Sequence, residues 1–198
     1  MLAVNAALPA ATFQEFVQLA RSKPGAINYA SFGTGSIVQL NFEQMNSHLG
    51  IKLTHVPYKG ASQAAMAAIN AEVGVVMSSL AGVAGFIRDG RLRALAVGRP
   101  TRSPLLPEVP TISEVGGGND TLVPTYFTFV APAGTPRAIV TKLNGELGRI
   151  MTAPDMVERL GKAGLEPQSI TPEEFTEGVR RDIARFGKLV RDLGIPPQ

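Results

Sequence analysis

Between residues 27 and 98, short apolar runs alternate with stretches whose apolar residues recur at helical spacing. Ile27-Asn28-Tyr29-Ala30 reads as a buried strand. It leads through the loop Ser31-Phe32-Gly33-Thr34-Gly35-Ser36 into a helix from about Ile37 to Leu49, with Leu40, Met45 and Leu49 near one face and Gly50 as its stop. Lys52 to Val56 alternates in the manner of a half-buried strand until Pro57-Tyr58-Lys59-Gly60 interrupts it. An alanine-rich helix follows from Ala61 to Ala71, starting at Ala61 or Ser62, and then the apolar strand Val73–Met77. Ser78-Ser79 opens a further helix that ends at Arg88-Asp89-Gly90, and Leu92–Val97 closes the series. This β-α-β-α-β-α-β order predicts an α/β fold with right-handed crossovers and a parallel sheet covered by helices. An earlier helix, Thr12 to Arg21, begins with the capping box Thr12-Phe13-Gln14-Glu15 and is expected to cover one face.

The texture changes after Gly98. Pro100, Pro104, Pro107 and Pro110 break any regular element, and Gly116-Gly117-Gly118 extends this segment into an expected connection between two lobes. Tyr126–Val130 reads as a strand. Thr135 is the expected N-cap of a helix with Pro136 at its first position, running to about Met151. A helix from Pro154 to Lys162 stopped by Gly164, a short strand from Leu165 to Ser169, and a long helix from the capping box Thr171-Pro172-Glu173-Glu174 to Leu193, ended by Gly194 and Pro196, complete the chain. These three helices carry apolar faces, among them Ile139, Leu143 and Ile150, but the pattern supplies little sheet for them to lie on. Either they form a small bundle, or they cover a sheet that this chain does not contain. Exposed faces of that kind predict self-association.

Composition narrows the chemistry. Of 198 residues, 44% are hydrophobic and 18% charged, the balance of a core-forming chain. With no cysteine, disulfides, thiolate catalysis and cysteine-bound metals are excluded. His48 and His55 do not fall in a ligand spacing, so no metal site is expected. A net charge of +3, dispersed basic residues and the lack of tryptophan argue against nucleic-acid binding. No apolar stretch is long enough to span a bilayer, and Met1-Leu2-Ala3-Val4-Asn5 has no signal-peptide pattern.

Three connections leave the carboxyl ends of predicted strands and enter helix N-termini: Ser31 to Ser36, Tyr58 to Ser62, and Ser78-Ser79. The edge they share is where open α/β sheets bind ligands, and helix N-termini there favour carboxylate or phosphate. Gly33 and Gly35 permit close backbone approach, and Ser31, Thr34, Ser36, Ser78 and Ser79 can donate hydrogen bonds. Ser36, Ser62 and Ser79 also read simply as caps of their own helices. Lys59 is either a point charge for an anion or a solvated loop residue, and Tyr58 lines the same edge. Neither a Walker loop nor a dinucleotide fingerprint is present, since Val38 stands where the third glycine would fall. A serine hydrolase or transferase is the rival reading. It lacks a Gly-x-Ser-x-Gly elbow, and it requires a histidine within hydrogen-bond reach of Ser31, Ser36 or Ser78. An effector-sensing module attached to a regulator would need a DNA-binding helix pair, and the pattern shows none.

Several segments resemble the tripartite tricarboxylate transporter substrate-binding proteins, the TctC/Bug family. They are Lys23–Ser31, His55-Val56-Pro57-Tyr58-Lys59-Gly60, Gly90–Val97, Arg102-Ser103-Pro104, Leu106–Thr111 and Ala131–Pro136, in this order and spacing. The resemblance implies a periplasmic-binding-protein-like fold of type II and a non-enzymatic, periplasmic receptor without cofactor. Such receptors bind a small carboxylate between two α/β lobes and deliver it to membrane subunits of the transporter. It also implies a long N-terminal stretch that this chain lacks. Residues 1–122 then correspond to a complete second lobe, and 123–198 to the inter-lobe strand and helices of a truncated first lobe. Ser31, Gly33, Thr34, Gly35 and Ser36 match one ligand loop of the family, and Tyr58, Lys59, Gly60 and Ala61 match the next. Ser78, beside Ser79, stands where many members have an aspartate, which favours a plain or aromatic carboxylate over an amino acid. Gln63 and Thr128 also depart from the family pattern.

Overall fold

In the computed structural model, residues 1–118, 127–162, 165, 167–192 and 194 are described. The expectations that fall on Tyr126, Gly164, Glu166, Leu193 and Pro196 lie outside them. The chain divides into two compact units, Met1–Pro124 with Leu189–Gln198, and Thr125–Lys188.

The first unit is built on five strands: β1 (Leu2–Asn5), β2 (Asn28–Ser31), β3 (Thr54–Pro57), β4 (Val75–Met77) and β5 (Leu92–Ala96). Their order is β3-β2-β4-β1-β5. The helices of this unit are α1 (Phe13–Ser22), α2 (Ile37–Leu49), α3 (Ala61–Ile69) and α4 (Leu80–Arg88). β2 pairs in parallel with both β3 and β4. The sheet is mixed rather than wholly parallel, because β1 inserts antiparallel between β4 and β5. β5 thereby keeps the direction of β2, β3 and β4, so the four strands of the predicted series do run the same way. The antiparallel strand lies outside that series. Four apolar residues at the chain start identify a buried strand but carry no information about its neighbours.

Alternation along the strands divides the core into two layers. Leu2, Val4, Tyr29, Val75, Met77 and Leu95 face α1 and α2, and meet Phe13, Phe16, Phe42 and Met45. Ala3, Ala30, Val76 and Leu92 face α3 and α4, where alanines at 64, 65, 67 and 68 allow close approach and Val83 completes the layer. Polar side chains finish several helix ends. The Asn5 amide donates to the Ala68 carbonyl at 2.7 Å, tying β1 to the end of α3. The Arg21 guanidinium donates to the Leu49 carbonyl at 2.7 Å, and Gly50 takes the left-handed conformation (φ 60°) that terminates α2.

One chain of polar groups crosses the α2 layer. Tyr29 is fully buried and its ring stacks on Phe42 and on His55, while its hydroxyl donates to Glu43 at 2.7 Å. Asn46 donates to the other Glu43 oxygen. Burial first, and then the bond to Glu43 and its charge, push the Tyr29 phenol well above its ordinary range. Burial holds the His55 imidazole below the ordinary histidine value, opposed by the charge of Glu43.

The glycine run does not act as a free linker where it is described. A Cβ on Gly117 would lie 2.4 Å from two atoms of the buried Ile112 side chain, and the Gly117 N–H donates to the Ile112 carbonyl at 2.8 Å. The segment is therefore packed onto the first unit's core at this point.

In the second unit, α5 (Arg137–Met151), α6 (Pro154–Lys162) and, as far as Lys188, α7 (Pro172–Asp192) form where the spacing predicts them. Thr171 and Glu174 make the expected reciprocal capping bonds, at 2.8 and 3.1 Å. Thr135 is not the cap of α5. Its hydroxyl turns back to the Pro132 carbonyl, and Pro136 takes the cap position with ψ 134° and accepts from the Val140 N–H. Among the described residues, the expected strand at 126–130 is absent. Phe127, Phe129 and Val130 are 73–83% exposed, so the apolar run has no ladder partner to make it a strand. Residues 165 and 167–169 are likewise irregular. No described residue of α5, α6 or α7 is buried.

Two outcomes follow. Gly117→Ala lowers unfolding stability by about 1–3 kcal/mol through overpacking, whereas Gly145→Ala, in open space within α5, leaves it unchanged or raises it; urea titration separates them. Because the folded His55 value lies below the unfolded one, the unfolded chain takes up its proton first on acidification. The His55 contribution is complete above the ordinary value of 6.5, declines as pH falls toward the folded value, and levels off below it. Denaturant midpoints for wild type and His55→Gln across pH 8 to 5 test this, the variant losing that part of the slope.

Candidate functional site

The chain passes from β2 outward to β3 and then crosses back over β2 to β4. The order of strands therefore reverses beside β2, and helices leave the two sides of this point toward opposite faces: α2 after β2, α4 after β4. Such a reversal opens a crevice beyond the strands' carboxyl ends. The three predicted loops lie side by side along this edge. Tyr58 extends the ladder by donating its N–H to the Ser31 carbonyl at 3.0 Å, and the Cβ position of Gly33 lies 3.8 Å from the Tyr58 carbonyl.

In the first loop, Gly33 (φ 122°) and Gly35 (φ 76°) adopt backbone that residues with a Cβ rarely take. Ser36 caps α2 through the Gln39 N–H, and Gln39 reaches back to accept the Gly35 N–H at 2.7 Å. The N–H groups of Thr34, Ile37 and Val38 have no partner among the described residues. In the second loop, Gln63 accepts the Lys59 N–H at 3.2 Å while Gly60 caps α3 without a side chain. This leaves the N–H groups of Gly60, Ala61, Ser62 and Gln63 without a partner among the described residues. In the third, Ser78 donates its N–H to the Met1 carbonyl, Ser79 caps α4 through Gly82, and the N–H groups of Ser79, Leu80 and Ala81 have no partner among the described residues. Both serine hydroxyls lie over Gly82, within 2.9 and 3.3 Å of where a Cβ would stand.

The rim is thus a row of backbone donors at three helix N-termini. None of α2, α3 or α4 has an acidic residue in its first turn; α1, α6 and α7 do, and α5, away from the rim, does not. Lys59 is exposed and has no carboxylate partner among the described residues. Burial, assisted by the charge of Glu72, raises the pKa of the half-buried Tyr58 hydroxyl. No group of three or more His, Asp or Glu suited to a metal occurs among the described residues.

The site residues do not all play the part expected of them. Thr34, Gly35, Lys59, Ala61 and Ser79 are exposed at the rim, and Gly33, Ser36, Tyr58, Gly60 and Ser78 are partly so. Ser31 is fully buried. Its Oγ lies 2.6 Å from His55 Nε2, accepts the Gly33 N–H at 3.1 Å and donates to the Gly33 carbonyl at 3.0 Å. The histidine that a serine enzyme requires is therefore within reach, but the hydroxyl is enclosed and bonded into its own loop. Glu43, the carboxylate acting on His55, is bonded to Tyr29 and Asn46 instead. Two residues of the rim, Gln39 and Gln63, have roles that the sequence pattern alone does not single out. Their signal is a glutamine three positions after a helix cap, the neutral counterpart of the Glu boxes recognised elsewhere.

Comparison with known proteins agrees with this architecture. The model of the tripartite tricarboxylate transporter family receptor matches residues 1–195. A UPF0065 protein of Bordetella pertussis is 34% identical over 96% of this chain and 58% of its own length. A solved periplasmic transporter superposes with a TM-score of 0.88 at 30% identity, covering 98% of this chain and 64% of its own. The R. palustris protein Rpa4515, solved with adipate, gives 0.84 at 30% identity over 100% and 66%. MatC of Rhodopseudomonas palustris, solved with malate, gives 0.74 at 27% identity over 96% and 65%. The chain therefore spans somewhat under two thirds of these relatives, and it belongs to the tripartite tricarboxylate transporter receptor family, TctC.

Proposed function

We propose that this chain supplies one lobe of a periplasmic receptor that holds a small carboxylate and passes it, unchanged, to the membrane subunits of a tripartite transporter. The single observation carrying this reading is the rim at the strand reversal, where three helix N-termini offer unpartnered N–H groups and no first-turn acid. Backbone donors and helix dipoles stabilise an anion without offering it a nucleophile or a metal. The adipate and malate in the solved relatives support the ligand class. Ser78, in place of the family's frequent aspartate, favours a ligand without an amino group at that position.

Residues 1–122 are assigned to the ligand-binding lobe, and 123–198 to a segment that in relatives completes the other lobe. The exposed apolar residues of α5 and α7, Ile139, Leu143, Ile150 and Ile183, support that assignment and would drive self-association of the chain alone. The enclosed Ser31 hydroxyl weighs against the serine-enzyme alternative.

Half of a cleft supplies only part of the contacts. Each charge-assisted hydrogen bond contributes roughly 1.5–3 kcal/mol, so losing several leaves the affinity of this chain at about millimolar or weaker. Amide NMR titration with adipate, malate and an aromatic carboxylate is expected to move Thr34, Ile37, Val38, Gly60 to Gln63 and Ser79 to Ala81 selectively. A panel that moves none of them overturns the receptor reading, and micromolar affinity by calorimetry overturns the half-cleft assignment. In the same assay, Gln39→Glu or Gln63→Glu retains its cap and unfolds at an equal or slightly higher midpoint but weakens adipate by about two- to fivefold, the worth of a charge at a helix N-terminus.

A further inference from the structure

We infer that His55 is the positioning residue of the first rim loop: its Nε2–H is donated to the Ser31 hydroxyl, which holds the Gly33 carbonyl inward and so turns the Thr34 N–H out to the ligand. The inference rests on the receptor reading for what the loop binds, but not for the hydrogen-bond chain itself.

The argument is one of donors and acceptors. Ser31 Oγ has one hydrogen and three close partners: the Gly33 N–H at 3.1 Å, the Gly33 carbonyl at 3.0 Å and His55 Nε2 at 2.6 Å. The carbonyl can only accept, so its contact is a hydrogen bond only when the hydroxyl hydrogen points to it, while the oxygen accepts from Gly33 N–H. If Nε2 carried no hydrogen, it would compete with the carbonyl for that single proton, and the carbonyl would keep only the longer bond from the Ser36 N–H at 3.2 Å. With hydrogen on Nε2, all three contacts are satisfied: Nε2–H to Oγ, Oγ–H to the Gly33 carbonyl, Gly33 N–H to Oγ. Only the Nε2–H tautomer turns all three contacts into hydrogen bonds at once, and that is the tautomer we assign.

The ring is held for this task. Tyr29 and His55 are register partners across β2 and β3, and their rings stack at 5.0 Å between centroids. Tyr29 is fixed on its other side by Phe42 at 4.1 Å and at its hydroxyl by Glu43 of α2, the charged group that acts on His55. Ser31 follows Tyr29 by two residues, so it faces the same side of the sheet. Its output is the Gly33–Thr34 peptide. The Gly33 carbonyl accepts from Ser31 Oγ and from the Ser36 N–H at 3.2 Å. In a trans amide the following N–H points the opposite way. That N–H belongs to the exposed Thr34 and is one of the rim's open donors.

The test begins with wild type and no ligand. Long-range proton–nitrogen spectra of the side chains, with His55 assigned by its loss in His55→Gln, are expected to show hydrogen on Nε2 in the neutral ring. Hydrogen on Nδ1 alone overturns the inference. Two variants then separate positioning from packing. His55→Gln keeps an amide donor near the Nε2 position and is expected to retain the Gly33 and Thr34 amide shifts. His55→Phe keeps a ring for the Tyr29 stack but removes the donor, and is expected to shift both amides and weaken adipate by about two- to tenfold, one hydrogen bond's worth. Unchanged amides in His55→Phe overturn it even if the fold is less stable. If adipate moves no rim amide in wild type, the receptor reading fails, and the tautomer and the Gly33 shifts still decide this inference.

Discussion

The parallel registration of β3, β2 and β4 is the constraint on which the rest depends. Tyr29 is held opposite His55 on one side and Val75 on the other, so the three carboxyl ends arrive together at one edge. A slip of one residue would move Ser31 and Tyr29 to the opposite face and uncouple the loop from His55. The pairing is defended by burial on both faces: α1 and α2 cover one side, α3 and α4 the other, and the central strands contain no exposed residue. β1 adds to this without adding a crossover. Running antiparallel between β4 and β5, it sets β5 alongside the others in direction while contributing a fully buried strand of its own.

Once the ends are aligned, the charge at the helix starts decides what the edge can hold. A carboxylate in the first turn is a routine stabiliser, and this chain uses it freely elsewhere. Glu15 accepts from Ala11 before α1, and Glu174 accepts from Thr171 before α7. At the rim the same position is filled by Gln39 and Gln63, whose amide oxygens perform the backbone task without a negative charge. Local stability is given up there, by a fraction of a kcal/mol per helix. What is kept is an edge whose partial positive charges are not already neutralised from within the chain. Arg102 beside Glu114, by contrast, shows the other arrangement, in which arginine and backbone donors together hold a carboxyl group below its usual range.

Most of the first unit is legible in the sequence because its elements end on unambiguous residues. Gly50 closes α2, Pro57 and Gly60 separate β3 from α3, and Gly90 closes α4, so each periodic stretch is bounded by its own chemistry. The three rim loops follow from the same alternation. The pattern does not identify the partners of β1, because pairing across seventy residues leaves no trace in a four-residue apolar run. Ser31 is legible as a loop residue but not as a buried one, since its role is set by His55 on a neighbouring strand. Phe127 to Val130 shows the opposite failure. Strong strand propensity has no effect without a second strand to bond, and the second unit provides none among its described residues.

The second unit and the rim illustrate one physical point from two sides. The amphipathic helices α5, α6 and α7 satisfy their caps and backbone bonds locally, yet none of their described residues is buried, so their apolar faces gain little. The rim donors are in a comparable position. An amide facing bulk water already has a partner, and exchanging it for a carboxylate oxygen yields only a modest net gain. Covering the anion from the other side removes that competing water and strengthens each remaining charge–dipole contact. Under the proposed reading, the pattern of donors along the rim therefore determines which charge is accepted and how it is oriented, while a surface closing over the anion governs how tightly.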